Sequence, residues 1–158
     1  MIHIHIDMGN VSRVFQALGA LPTTRLMRLL ADSAEQLTRN RFRTETTPEG
    51  ASWAPHRPST LKLRERRGSP SRALLVDSGS LYNSIRTESG DDTATVTVGG
   101  AGMFAVVHQQ GNPANRMFGG PLAPIPARPF VPDSDSAPAS YIEALTVPIE
   151  AAIKEAIA

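Results

Sequence analysis

Ile2, Ile4 and Ile6 alternate with His3 and His5, a period of two that predicts a short strand with one face buried. The period then lengthens. Val11, Val14, Phe15 and Leu18 recur at helical spacing behind Asp7 and Asn10, either of which can cap, and Gly19 ends the run. A longer helix is predicted after Pro22, from about Thr24 to Arg43, with Thr23 or Thr24 as N-cap. Leu26, Leu29, Leu30, Leu37 and Phe42 form its apolar face, while Arg25, Arg28, Arg39, Arg41 and Arg43 decorate the remainder.

The pattern breaks between Thr44 and Ser59. Thr47-Pro48-Glu49-Gly50 reads as a turn, and Trp53 is the one large side chain able to pin the loop. Thr60 to Arg67 fits a short helix, followed by a Gly68-Ser69-Pro70-Ser71 tip. Segments 44–72 and 112–124, rich in Gly and Pro and poor in spaced apolar positions, are expected to be partner-facing loops. After Leu74-Leu75-Val76, Asp77 or Ser78 would cap a helical turn carrying Leu81 and Ile85. A β-hairpin follows: Ile85 to Glu88, a turn at Asp91-Asp92, then Thr93 to Val98 with Ala94, Val96 and Val98 alternating against threonines. Met103 to Gln110 is a short apolar segment stopped by Gly111. Pro126 to Pro132 is too rich in proline for a central strand and reads as an extended edge.

The last helix opens over Asp133 to Ser136, with Pro138 in its first turn. Tyr141, Ile142, Leu145, Ile149, Ile153 and Ile157 form its apolar face, and Pro148 should kink or split it. Strand, helices, loop, hairpin, helix in that order argue α+β: a small, mainly antiparallel sheet packed against the long helix and the C-terminal helix, with long Pro/Gly-rich loops. The 158 residues, 1–158, are expected to form one domain.

Composition narrows the function. Cys is absent, which removes disulfides and thiolate chemistry. No apolar run approaches the ~20 residues that span a bilayer, and no basic stretch leads into an apolar one at the N-terminus, so neither a membrane partner nor a secretory signal is expected. Only eight aromatics are present, too few for a base-stacking platform. Charge is near balance at +1 but segregated. From Pro129 onward five acids stand against Lys154 alone, a net of −4, leaving +5 on the rest. Nine basic residues lie between Arg39 and Arg72.

The candidate chemistry is thin. His3 and His5 could hold zinc with a third ligand, or could simply face solvent on an edge strand. His108 reads as a hydrogen-bonded turn residue before a catalytic base. Ser78-Gly79-Ser80 lacks the frame of a nucleophile elbow, and Gly99, Gly100 and Gly102 lack phosphate-loop spacing. No enzyme constellation and no cofactor are expected. Arg57, Lys62, Arg64, Arg66, Arg67 and Arg72 could contact phosphates, as a nucleic-acid-binding module would; the alternative is a solvated helix face or a protein-binding arm.

An ordered set of short motifs resembles the virion morphogenesis family of tailed phages, which includes tail completion proteins and the morphogenesis protein of Mu-like phages. The residues are Arg41-Phe42; Thr46-Thr47-Pro48-Glu49-Gly50 with Trp53-Ala54-Pro55; Leu74-Leu75-Val76-Asp77-Ser78-Gly79-x-Leu81-x-Asn83-Ser84-Ile85; His108-Gln109-x-Gly111; and Ile125-Pro126-Ala127-Arg128-Pro129-Phe130. Val131-Pro132 departs from the Leu-Gly step common in that family, and Pro148 interrupts the last helix. The resemblance implies a structural assembly protein that completes the tail or joins it to the head. It implies a homo-oligomeric ring at the neck, tail tube or head-connector partners and possible DNA in the channel. The location implied is the host bacterial cytoplasm during assembly, then the virion tail or neck. A basic middle and an acidic C-terminal segment suit the unlike patches of a ring interface. Arg128 is expected to hold the Pro-Ala-Arg-Pro-Phe segment through carbonyls or an acid, with Phe130 in the core.

Overall fold

The computed structural model describes residues 2–7, 23–68, 73–99, 103–115, 123–133 and 137–157. The helix expected over Val11 to Leu18, together with Arg72 and most of the Gly68–Ser71 tip, lies outside the described residues. The fold is α+β. In chain order the elements are β1 (Ile2–Asp7), α1 (Thr23–Thr44), α2 (Pro58–Arg66), α3 (Ser80–Asn83), β2 (Arg86–Ser89), β3 (Thr93–Val98), α4 (Met103–Gln110) and α5 (Ala139–Ile157).

The sheet runs β1-β3-β2 and is antiparallel throughout. The hairpin pairs Arg86 with Thr97 and Ser89 with Ala94, and the Gly90 amide donates to the Thr93 carbonyl across the turn. Alternation along β3 is complete: Ala94, Val96 and Val98 are buried, while the three threonines are half-buried. β1 adds at the other edge, with Ile4 in register with Val96 and His3 and His5 opposite Thr97 and Thr95.

α1 supplies the largest face of the core. Leu26, Met27, Leu30, Ala31, Ala34, Thr38 and Phe42 are buried, a stripe repeating every three to four residues against β2, β3 and α5. Leu29 and Leu37, expected on that stripe, lie at its margin and line an open groove shared with Ala144 and Pro148. Two arginines expected to decorate the exterior turn inward instead. Arg39 donates from Nε to Glu35 at 2.7 Å, from Nη1 to the Tyr82 carbonyl and from Nη2 to the Ile85 carbonyl, and its guanidinium stacks 4.9 Å above the Tyr82 ring. Glu35 in turn accepts from Thr87 Oγ1, so one ion pair ties α1 to both α3 and β2. Arg41 donates to Thr46 Oγ1 and the Pro48 carbonyl. Both exceptions have one cause: neighbouring turns leave carbonyls that the long Arg stem can reach, and buried carbonyls need donors.

α5 packs through Tyr141, Leu145, Ile149 and Ala152. Ile142, assigned to that face by pattern, is 50% exposed. Pro148 does not split the helix, which is continuous from Ala139 to Ile157. Buried side chains on both sides of the proline hold the two halves to α1, and one lost backbone bond is small against that packing. Its start also differs from the expectation at Asp133 to Ser136: Pro138 stands just before the first turn, its carbonyl accepting from the Tyr141 and Ile142 amides.

Candidate functional site

The motif residues around Trp53 and in His108-Gln109-x-Gly111 converge on an extended segment, 123–133. Prolines at 124, 126, 129 and 132 exclude it from a ladder, so its remaining polar groups need other partners. The segment begins with a two-way backbone pairing: the Asn112 amide donates to the Ile125 carbonyl at 2.8 Å, and the Ile125 amide donates back at 2.9 Å. Farther along, the Arg128 amide donates to the His108 carbonyl at 2.7 Å. Gln109 then acts as a surrogate strand. Its Nε2 donates to the Val131 carbonyl at 2.7 Å, and its Oε1 accepts from the Phe130 and Val131 amides at 3.1 and 3.4 Å.

Gly111 permits this approach. It sits at φ 75°, and a Cβ there would stand 2.8 Å from the Ala127 nitrogen and 3.0 Å from the Ile125 carbonyl oxygen. Both the backbone conformation and the space require glycine. The spacing of His108-Gln109-x-Gly111 therefore has a physical content: a carbonyl, an amide side chain and a bare backbone presented in sequence to one passing chain.

The other side of the segment is held by the turn before α2. Trp53 is buried, its Nε1 donates to the Pro129 carbonyl at 2.8 Å, and its ring meets Phe42 edge-on at 5.7 Å. Phe42 also touches Phe130 at 5.3 Å, and Phe130 is fully buried. Arg128 is 6% exposed; its Nε donates to the Ala54 carbonyl at 2.8 Å and its Nη2 to the Pro55 carbonyl at 3.2 Å. Burial, with Arg64 adding a like charge, pulls Arg128 below its usual range, although a guanidinium stays charged at any physiological pH. The segment from Thr46 to Pro55, within the stretch expected to face a partner, is thus anchored to the body through Trp53 and the carbonyls of Ala54 and Pro55. Pro48 is also fully buried, and Thr46 pairs with Ser52. Pro48 and Trp53 are the buried side chains of this stretch, and Glu49 to Ser52 are exposed.

Three other expected site residues are placed differently from their sequence reading. His108 is not a turn residue: it lies in the last turn of α4, and its Nδ1 is buried without a hydrogen-bond partner. Burial, reinforced by Arg128, pushes its pKa down. Neither Asp77 nor Ser78 is the N-cap of α3. Gly79 is, in a left-handed conformation at φ 79°, and a glycine has no side chain with which to cap. Ser78 Oγ instead accepts from the Ser80 amide at 3.3 Å, and Asp77 faces Arg64 across 3.6 Å. The preceding residues form a second anchor. Leu75 is buried with φ 57°, the Leu74 amide donates to Glu45 Oε1 at 2.6 Å, and Arg64 Nη1 donates to the Ala73 carbonyl. His56 Nε2 lies 3.3 Å from that same carbonyl, and burial first, then Arg64 and Arg128, lower its pKa.

Two residues that sequence reasoning did not single out as sites, Gln109 and Glu45, carry much of this framework. Gln109 lay inside a recognised motif, which was the available signal. Nothing local marked Glu45, whose backbone is itself left-handed at φ 55°.

The basic segment forms a separate surface. None of the residues of α2 is buried. Lys62, Arg66 and Arg67 are exposed, Arg57 is exposed while donating to the Pro124 carbonyl, and Arg64 is turned to the body. Among the described residues no helix is long and apolar enough to cross a membrane.

Comparison with known proteins follows the same line. The profile of the phage virion morphogenesis family matches residues 6–146. The chain is 25% identical over 160 residues to the putative capsid assembly protein G of Escherichia phage Mu, an alignment covering 98% of this chain and 97% of that protein. No solved structure matches.

Proposed function

The chain belongs to the phage virion morphogenesis family, and from that premise we propose that it is a structural protein that completes the tail and joins it to the head. The family match and the Mu relative support a role in phage particle assembly. The finer reading is ours. Copies of the chain form a ring at the neck, bound to tail tube or head-connector proteins, with DNA passing through the channel. The protein works in the host cytoplasm during assembly and stays in the virion at the tail or neck. Its role is structural and not catalytic.

The observation that carries the proposal is the family match over residues 6–146. What the motif residues do supports a structural role. Trp53, Gln109, Gly111 and Arg128 are engaged in holding backbone to backbone, and their polar groups are directed at carbonyls and amides of this chain. Such a rigid hub suits a protein that must present fixed surfaces to neighbours. Gold-labelled antibody against the chain, viewed on purified particles by electron microscopy, tests the placement. Label at the head–tail junction is expected. Label spread over the capsid shell would overturn it.

A further inference from the structure

Three helices leave apolar side chains in water, Phe104 on α4 among them, and two of the three, α2 and α5, carry opposite charge. On α2, Leu61 and Leu63 are 37% and 45% exposed; on α5, Ile142 and Val147 are 50% and 56% exposed. At 3.6 residues per turn each outer face carries two like charges with an apolar side chain on either flank. α2 turns Arg64 toward the body, where it bonds the Ala73 carbonyl, so Lys62 and Arg66 crown the opposite side with the two leucines on its flanks. α5 turns Tyr141, Leu145, Ile149 and Ala152 inward, so Glu143 and Glu150 crown its outer side, flanked by Ile142 and Val147. Glu65 is the acid of α2 and Lys154 the base of α5; all the other charged residues of each helix share that helix's sign.

We infer that the protein self-associates by seating α2 of one copy on the outer face of α5 of the next. This contact rests on the ring reading above and specifies it: each copy gives α2 to one neighbour and α5 to the other. The apolar flanks meet apolar flanks, and the basic crown lies along the acidic one. Opposite charge together with exposed apolar side chains on two helices of one chain favours a second copy over another partner. A helix with no buried residue also lacks the packing that normally stabilises a short helix, and a neighbour would supply it.

The test uses the full chain and two charge reversals on exposed positions, Lys62→Glu with Arg66→Glu, and Glu143→Lys with Glu150→Lys. The wild-type chain should sediment as an assembly larger than two chains that loosens as salt rises. Each reversed variant alone should associate at least about tenfold more weakly while matching the wild-type melting temperature at a dilution where both are monomeric. Mixing the two variants should restore association, because an acidic α2 then meets a basic α5 and the two unmodified helices also match. A wild-type chain that stays monomeric, a complex that stops at two chains, or a mixture that stays dissociated would overturn the contact. So would an α2 reversal that leaves association unchanged but abolishes salt-sensitive binding to duplex DNA, which would assign the face to nucleic acid. In each of those cases the particle-assembly reading is judged separately, by labelling of phage particles.

Discussion

Replacing Gly111 by alanine isolates the close approach on which the hub depends. The residue sits at φ 75°, so an alanine there adopts the left-handed region at a cost of about 1–2 kcal/mol. Its Cβ would stand 2.8 Å from the Ala127 nitrogen, 3.0 Å from the Ile125 oxygen and 3.3 Å from the Ala127 Cα. These are backbone atoms, so no rotamer change relieves them. The 125–127 segment must retreat, and the paired bonds between Asn112 and Ile125 weaken or break, each worth about 0.5–1.5 kcal/mol net. The whole loss is then about 2–5 kcal/mol. Gly50→Ala is the matched control. Gly50 has φ 90°, but nothing lies within 4 Å of its would-be Cβ, so only the backbone term of about 1–2 kcal/mol applies. Guanidinium unfolding followed by tryptophan fluorescence measures both, and Trp53 is the single Trp and bonds Pro129 within the hub itself. Gly111→Ala should lower the melting temperature by about 2–4 °C per kcal/mol lost. If the two variants agree within about 0.5 kcal/mol, the crowding argument is refuted.

Three further outcomes follow from the same framework. Arg128→Lys keeps the charge but loses the forked donation to Ala54 and Pro55, and should destabilise by about 1.5–3 kcal/mol in the same unfolding assay; a stable variant that fails only in particle assembly would make Arg128 interfacial instead. His56 and His108 have folded pKa values below their unfolded ones, so the unfolded chain binds more protons. Stability should therefore be fully present above about pH 6.5 and fall as pH drops below it; His108→Gln should flatten that fall, and an unchanged slope would deny its burial. The buried Tyr141 hydroxyl lies beside Thr38 without a well-formed hydrogen bond, and burial, opposed by Thr38 and Arg41, pushes its pKa up to about 12. Tyr141→Phe should leave the melting temperature unchanged or raise it, since it removes a buried polar group with no well-formed hydrogen bond, and a fall of several degrees would show that the contact with Thr38 stabilises the fold.

Periodicity made α1, β3 and α5 legible, because one buried face writes a repeat into the chain. It failed where a single side chain overrode the repeat. Ile142 lies at the margin of the α5 stripe, and only the position of α1 decides that the residue faces water. Arg39 and Arg41 looked like solvent residues because charge is read locally, whereas their carbonyl partners arrive from turns elsewhere in the chain. The motif positions of the hub were visible as an ordered set, but their roles were not. Residue preference places a cap at Asp77 or Ser78, whereas the left-handed turn puts Gly79 at that position. Gln109 satisfies three backbone groups of a strand-like segment more than twenty residues away, and no local pattern encodes such a pairing.

A structural part of the phage neck, as proposed for this chain, should be indispensable for joining heads to tails. The most direct measurement removes its gene from the phage and examines the lysate by electron microscopy. Filled heads and separate or incomplete tails are expected, with infectivity restored when the intact chain is supplied from a plasmid. Joined, infectious particles formed at the normal yield without the chain would contradict it.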